Sequence, residues 1–176
     1  MDLDRNIEIM APVGSYESLM AAIQGGAGSV YFGVEHLNMR ARSAHNFTLA
    51  DMSRIATTAA SHGVKSYLTL NTEVFDNETE LVGQILKAAK DAGISAVIAA
   101  DPAVILQARE IDLEVHMSTQ VNITNFEAVK FYSRLADVMV LARETNLGRV
   151  HEIADKIREQ GLTGPSGRPI RLEMFV

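Results

Sequence analysis

Arg143 and Glu144 follow directly on the apolar run VMVLA, where a buried strand would deliver a charged pair to the rim of a sheet. A guanidinium there is planar, always charged and forked, which suits a carboxylate or phosphate ligand. A rim salt bridge from Arg143 to Glu144 or Asp101 is the competing use. Gln120 and Asn122 alternate along STQVN; read as extended chain they point the same way, toward a ligand or toward neighbouring loops through backbone hydrogen bonds. Arg40 and Arg42, with Asn38, lie in the long connection from Gly33 to Phe47, as ligand contacts or as a solvated loop. Asn71 ends the run KSYLTL, and Asp101 precedes Pro102, where capping a short helix is its simplest role. Together they form a face rich in amides, hydroxyls and arginines, suited to an anionic small molecule.

Other apparent motifs carry less. His151-Glu152-Ile153-Ala154-Asp155 looks like HExxH, but its fifth residue is Asp and it falls on an outer helix. Gly25-Gly26-Ala27-Gly28 precedes a strand and reads as a helix stop rather than a phosphate cradle. Gly164-Pro165-Ser166-Gly167 lacks the GxSxG frame of a nucleophile elbow. Lys65 begins its strand, the wrong end for Schiff-base chemistry in a parallel barrel. His116, inside a strand, reads as a packed and hydrogen-bonded histidine. No nucleophile with an adjacent base emerges, so the segment's own residues do not spell an enzyme.

The elements that must position these residues alternate strictly. Strands are expected at 7–11, 29–32, 65–70, 96–99, 114–117, 137–141 and 171–176, with amphipathic helices between them. Capping-box spacings, Thr48 with Asp51, Asn77 with Glu80 and Thr124 with Glu127, mark three of the helix starts. Alternation of this kind implies parallel strands and right-handed crossovers, and strand cores such as AVIA and VMVL suit a sheet covered on both faces. A doubly wound sheet would want a glycine-rich fingerprint after strand one, where APVGS has a single glycine. The pattern therefore favours an incomplete parallel (β/α) barrel, TIM-barrel-like, with about seven strands and six helices and its site at the carboxyl ends of the strands.

The 176 residues, 47% hydrophobic and 22% charged, are enough for a sizeable core. A net charge of −6 argues against a broad basic surface for nucleic acid. The absence of cysteine removes disulfides and thiolate metal sites from these residues. The acidic start MDLDRN lacks the apolar core of a signal peptide, and no apolar run reaches the ~20 residues of a membrane span, so a cytoplasmic domain is expected.

Five stretches, EIMAPVGSYESLMAAIQGGAGSVYFG, NMRARSAHNFT, VHMSTQVNITN, VMVLARE and RLEMFV, occur in this order in one known family. The chain resembles the N-terminal part of the collagenase-like, U-class peptidases. The closing strand is similar to the start of a signature that continues, past a histidine and glycine, into cysteines. The resemblance implies a chain truncated at Val176, ahead of cysteines that hold an iron–sulfur cluster in several members. It implies an enzyme for the full-length protein, and a fragment that binds no cluster and is inactive alone.

Some members of that family carry a protease label, historically for collagen. Others take part in oxygen-independent hydroxylation of RNA bases or the ubiquinone ring, with prephenate as the implicated oxygen donor. The hydroxylation role fits these residues better, since the family's matching stretches place Arg143, Glu144, Gln120 and Arg42 around the barrel mouth and prephenate is a dicarboxylate. The alternatives are a true peptidase or a non-catalytic barrel that binds an anionic small molecule. RNA contact is expected only with the C-terminal part. Open edges on the first and last strands predict self-association.

Overall fold

A computed structural model describes residues 7–34 and 47–176. Seven strands alternate with six helices: β1 (Met10–Pro12), α1 (Tyr16–Gln24), β2 (Ser29–Phe32), α2 (Asp51–Ser61), β3 (Lys65–Leu70), α3 (Thr79–Asp91), β4 (Ala96–Ala99), α4 (Pro102–Glu110), β5 (Glu114–Met117), α5 (Phe126–Tyr132), β6 (Val138–Val140), α6 (Leu147–Glu159) and β7 (Arg171–Glu173). All neighbouring strands are parallel, and they lie in the sheet in chain order from β1 to β7. A doubly wound sheet would reverse that order at a switch point. The unbroken progression is that of a (β/α) barrel left open between β1 and β7.

Each strand splits its side chains between two environments, because successive residues point to opposite faces. Val30, Phe32, Leu68, Leu70, Val97, Ala99, Val115, Met117 and Met139 face outward and form one large core with the helices. Inward lies a smaller cluster of Tyr67, Ala96 and Ile98, packed with Met10 and Tyr31. The Tyr67 ring lies 4.6 Å from that of His116. The inner face is much the more polar of the two, and that difference sets the chemistry of the barrel.

Several boundaries differ from the expected ones, each for a local reason. β1 begins at Met10 rather than Ile7, and β7 ends at Glu173 rather than Val176. Thr48 does not cap α2 with its own side chain. Instead its N–H and hydroxyl both donate to Asp51 Oδ2, at 2.8 and 2.7 Å, which is the carboxylate half of a capping box. Asn77 falls in a short 3₁₀ turn (Asp76–Glu78), where the Glu78 carboxylate accepts from Phe75 N. Asn125, not Thr124, caps α5 by accepting from Ala128 N at 2.9 Å. Among the caps, Ser15 on α1 forms a reciprocal pair with Ser18, and Asn146 on α6 accepts from Arg149 N.

Candidate functional site

The carboxyl ends of the strands carry Asn71, Asp101, Gln120, Asn122, Arg143 and Glu144 of the predicted residues. After β4, Asp101 caps α4 through Oδ1, which accepts from Ala103 N at 2.8 Å; its Oδ2 accepts from Val74 N at 3.1 Å. Both oxygens thus tie α4 to the loop after β3, so this carboxylate is a brace. Asn71 sits half-buried at the end of β3. After β5 the segment STQVN is not extended. Ser118 is buried and its Oγ accepts from Gln120 N, Thr119–Val121 turns as a 3₁₀ helix, and Asn122 takes a left-handed conformation at φ 53°. A short hydroxyl-led turn costs less than extended chain here because it satisfies its own N–H groups locally. Gln120 and Asn122 are both exposed on it, without the strand alternation expected of them.

β6 delivers Arg143 to the rim as expected. Its guanidinium lies 4.8 Å above the Phe175 ring, a cation–π contact, and it makes no ion pair with Glu144 or Asp101 among the described residues. Glu144 is exposed beside it. The loop beneath is zipped to the one after β5 by the Ile123–Leu141 bridge and an Ala142 N–H bond to Ile123 O at 2.8 Å. Arg143, Gln120 and Asn122 therefore share one stretch of rim. Arg40, Arg42 and Asn38 lie outside the described residues.

A second polar system, in the barrel interior, was not among the expected site residues. Glu114 accepts from Arg168 at 2.6 Å, from Arg171, and from His116 Nε2 at 3.1 Å. Burial works to raise its pKa, but the His116 hydrogen bond and the arginine charges outweigh it and hold the carboxyl at about 2. Glu8 accepts from Lys65 at 2.5 Å and Tyr67 at 2.9 Å, and despite burial these bonds keep its pKa below the usual value. Among the described residues Glu173 has no hydrogen-bond donor within reach. Burial, then the charge of Glu8, raises its pKa to about 7 in spite of Arg171. Burial lowers the pKa of His116, against the pull of Glu114. The signal for this system was present in the sequence: polar residues recur every second position in strands whose other face is apolar, as Lys65, Tyr67, Thr69, then Glu114, His116, then Arg171, Glu173.

At the opposite, N-terminal end a cleft of about 340 Å³ is lined by Arg109, Asp112, Glu114, Asp137, Ser166 and Arg168. Several of its charges are already engaged, Arg109 among them through Arg134 O at 2.9 Å. Asp137 accepts from Ser166 Oγ at 2.5 Å, and Arg168 is paired with Glu114.

Residues 14–176 match the sequence profile of Peptidase family U32. This chain belongs to peptidase family U32. It is 57% identical over 170 residues to a collagenase of Porphyromonas gingivalis, covering 97% of this chain and 41% of that protein. It is 34% identical over 153 residues to tRNA hydroxylation protein P1 of Bacillus subtilis (85% of this chain, 36% of that protein) and 33% identical over 173 residues to tRNA hydroxylation protein P of Helicobacter pylori (97% and 39%). The chain thus spans about two fifths of the length of these relatives. The structure of the U32 peptidase Mk0906 superposes with a TM-score of 0.69 over 89% of this chain and 68% of that one, at 17% identity, a likeness of fold.

An iron–sulfur cluster needs thiolates or an equivalent converging set. This sequence has no cysteine, and among the described residues no three His, Asp or Glu side chains converge as metal ligands. The residues of this chain do not fit such a group. Among the described residues, too, no helix is long and apolar enough to cross a membrane.

Proposed function

We propose that this chain is the N-terminal barrel portion of a U32 protein that takes a prephenate-like dicarboxylate at its C-terminal mouth and acts in oxygen-independent hydroxylation of RNA bases or a quinone ring. The observation that carries this reading is the state of Arg143. Its guanidinium rests on an aromatic ring rather than a carboxylate, at the barrel end where parallel barrels do their chemistry. Stacking on Phe175 fixes the plane of the fork and leaves its N–H groups for an incoming carboxylate. Gln120 and Asn122, exposed on the adjoining turn, add amide donors and acceptors along the same rim. Relatives named as tRNA hydroxylation proteins match most of the chain at about a third identity, which favours RNA as the final target. With a net charge of −6 here, RNA contact belongs to parts of the protein outside this segment.

The peptidase reading is favoured by one observation, the 57% identity with a collagenase. The two are separated by assaying the full-length protein under anaerobic conditions. With prephenate and tRNA supplied, the hydroxylation reading predicts nucleosides carrying one added oxygen by mass spectrometry and intact gelatin in parallel. Cleaved gelatin with unmodified tRNA would overturn it in favour of proteolysis.

A further inference from the structure

His116 is 2% exposed, and its two ring nitrogens face different carboxylates. Nε2 lies 3.1 Å from Glu114 Oε1. Glu114 also accepts from two guanidinium groups, so it is ionised and can only accept hydrogen bonds. Nε2 therefore carries a hydrogen and donates it. That fixes the tautomer: in the neutral ring, Nδ1 is a bare lone pair. Nδ1 has no hydrogen-bond partner among the described residues, and the group in front of it is Glu173 Oε2, at 3.9 Å.

A bare Nδ1 and an ionised carboxylate at this distance, too long for a hydrogen bond, repel, and the buried Nδ1 is left unsatisfied. One proton resolves both problems. We propose that His116 and Glu173 share a single proton and together form an acid–base site in the barrel interior, capable of proton exchange with an oxygen of a ligand admitted to the barrel. Glu173 is suited to face such a ligand: it lies on edge strand β7, paired on one side, and its side chain keeps 22% exposure where that of His116 keeps 3%. His116 is the inner, anchored partner. Phe175, on which Arg143 stacks, follows Glu173 by two residues at the end of β7, so the rim and the pair adjoin along the chain. The proton-sharing does not depend on that ligand; only its use in exchange rests on the anion-binding reading above.

The charged surroundings set which way the site titrates. Around the pair among the described residues are Glu114 on β5, Arg171 on β7, Tyr67 on β3 and Glu8 ahead of β1, with Arg168 bound to Glu114 and Lys65 to Glu8 behind them. β4 and β6, on either side of β5, present Ile98 and Val138 opposite His116. Burial disfavours the imidazolium, and burial with the Glu8 charge disfavours the second carboxylate, so the shared proton resides on Glu173. The acid then donates toward Nδ1.

The test is an NMR titration of the protein with labelled histidine and glutamate. The Glu173 carboxyl carbon is expected to titrate with a midpoint near 7, and the His116 Nδ1 shift to follow the same curve while Nε2 remains protonated. In Glu173→Gln, whose amide also donates to Nδ1, that curve should vanish from His116. A Glu173 midpoint between 4 and 5, an unchanged His116 curve in the variant, or a His116 cation at pH 6 would each overturn the proposal. The wild-type titration decides alone should the variant not fold. Loss of ligand binding on changing Arg143 bears on the rim and leaves this result untouched.

Discussion

Glu114 has a single carboxylate but three cationic or hydrogen-bonding neighbours, so its removal acts on all of them at once. Glu114→Gln should destabilise the fold by about 1–3 kcal/mol, below the range for a fully buried pair because Glu114 retains partial solvent access. The shift of the urea midpoint at constant slope measures it. Two of the three interior carboxylates, Glu114 and Glu173, give stability opposite pH dependences. Glu114 has a folded pKa of about 2, below its ordinary 4.5, so its contribution is present above that ordinary value and is lost as pH falls toward 2. Glu173, raised to about 7, contributes fully below 4.5 and loses that contribution as pH rises through 7. His116, with its pKa lowered by burial, works the other way over part of that range, so the test is a difference. The urea-midpoint advantage of the wild type over Glu173→Gln should fall as pH rises from about 4.5 through 7; a difference independent of pH would contradict this. At this scale the sequence was partly legible. Arg143 at a rim and His116 as a hydrogen-bonded interior residue follow from strand position. Glu114, two positions away on the same strand, follows from the strand's alternation too. Glu173 does not, because it comes from β7, far along the chain, and meets His116 only through the curvature of the sheet.

Elements are held by caps and by one close turn. Asn146 accepts from Arg149 N at 3.0 Å, and Asn146→Ala should cost about 1 kcal/mol, read from thermal or urea unfolding. Gly164 is more constrained: a Cβ there would lie 2.4 Å from Asp137 Oδ1 and 2.9 Å from Asp137 Cα. Relief would require breaking the Asp137–Ser166 hydrogen bonds that anchor the turn before β7. Gly164→Ala is expected to destabilise by about 1–3 kcal/mol and to raise hydrogen exchange in β7 first. Element types were legible throughout because strand and helix periods differ so plainly here. Cap identities were less so. Two polar residues in succession, Thr124 and Asn125, both carry a capping side chain, and tertiary packing of Phe126 chooses between them. STQVN escaped because a 3₁₀ turn and a short extended stretch have the same polar composition.

Among the described residues the molecule is a curved parallel sheet with β1 and β7 as its edges. β1 is partly protected: Pro12 offers no N–H to a neighbour. β7 presents unpaired backbone groups on its outer side among the described residues, each lost ladder bond being worth roughly 1 kcal/mol net. The 176-residue chain is therefore expected to self-associate in a concentration-dependent way by sedimentation; a strict monomer with β7 fully protected from hydrogen exchange would contradict this. The barrel order was legible from strict alternation and the missing glycine fingerprint. The opening between β1 and β7 among the described residues agrees with the incomplete barrel expected. The curvature that brings the charge of Glu8 to bear on Glu173 was not legible, because it leaves no mark on local periodicity. The central claim is that the C-terminal mouth binds a dicarboxylate through Arg143, and calorimetric titration of prephenate into the full-length protein and its Arg143→Ala variant tests it most directly. Saturable binding is expected, weakened by about tenfold or more in the variant through the loss of a charge-assisted pair. Equal affinity in both, or no binding to the wild type, would contradict it.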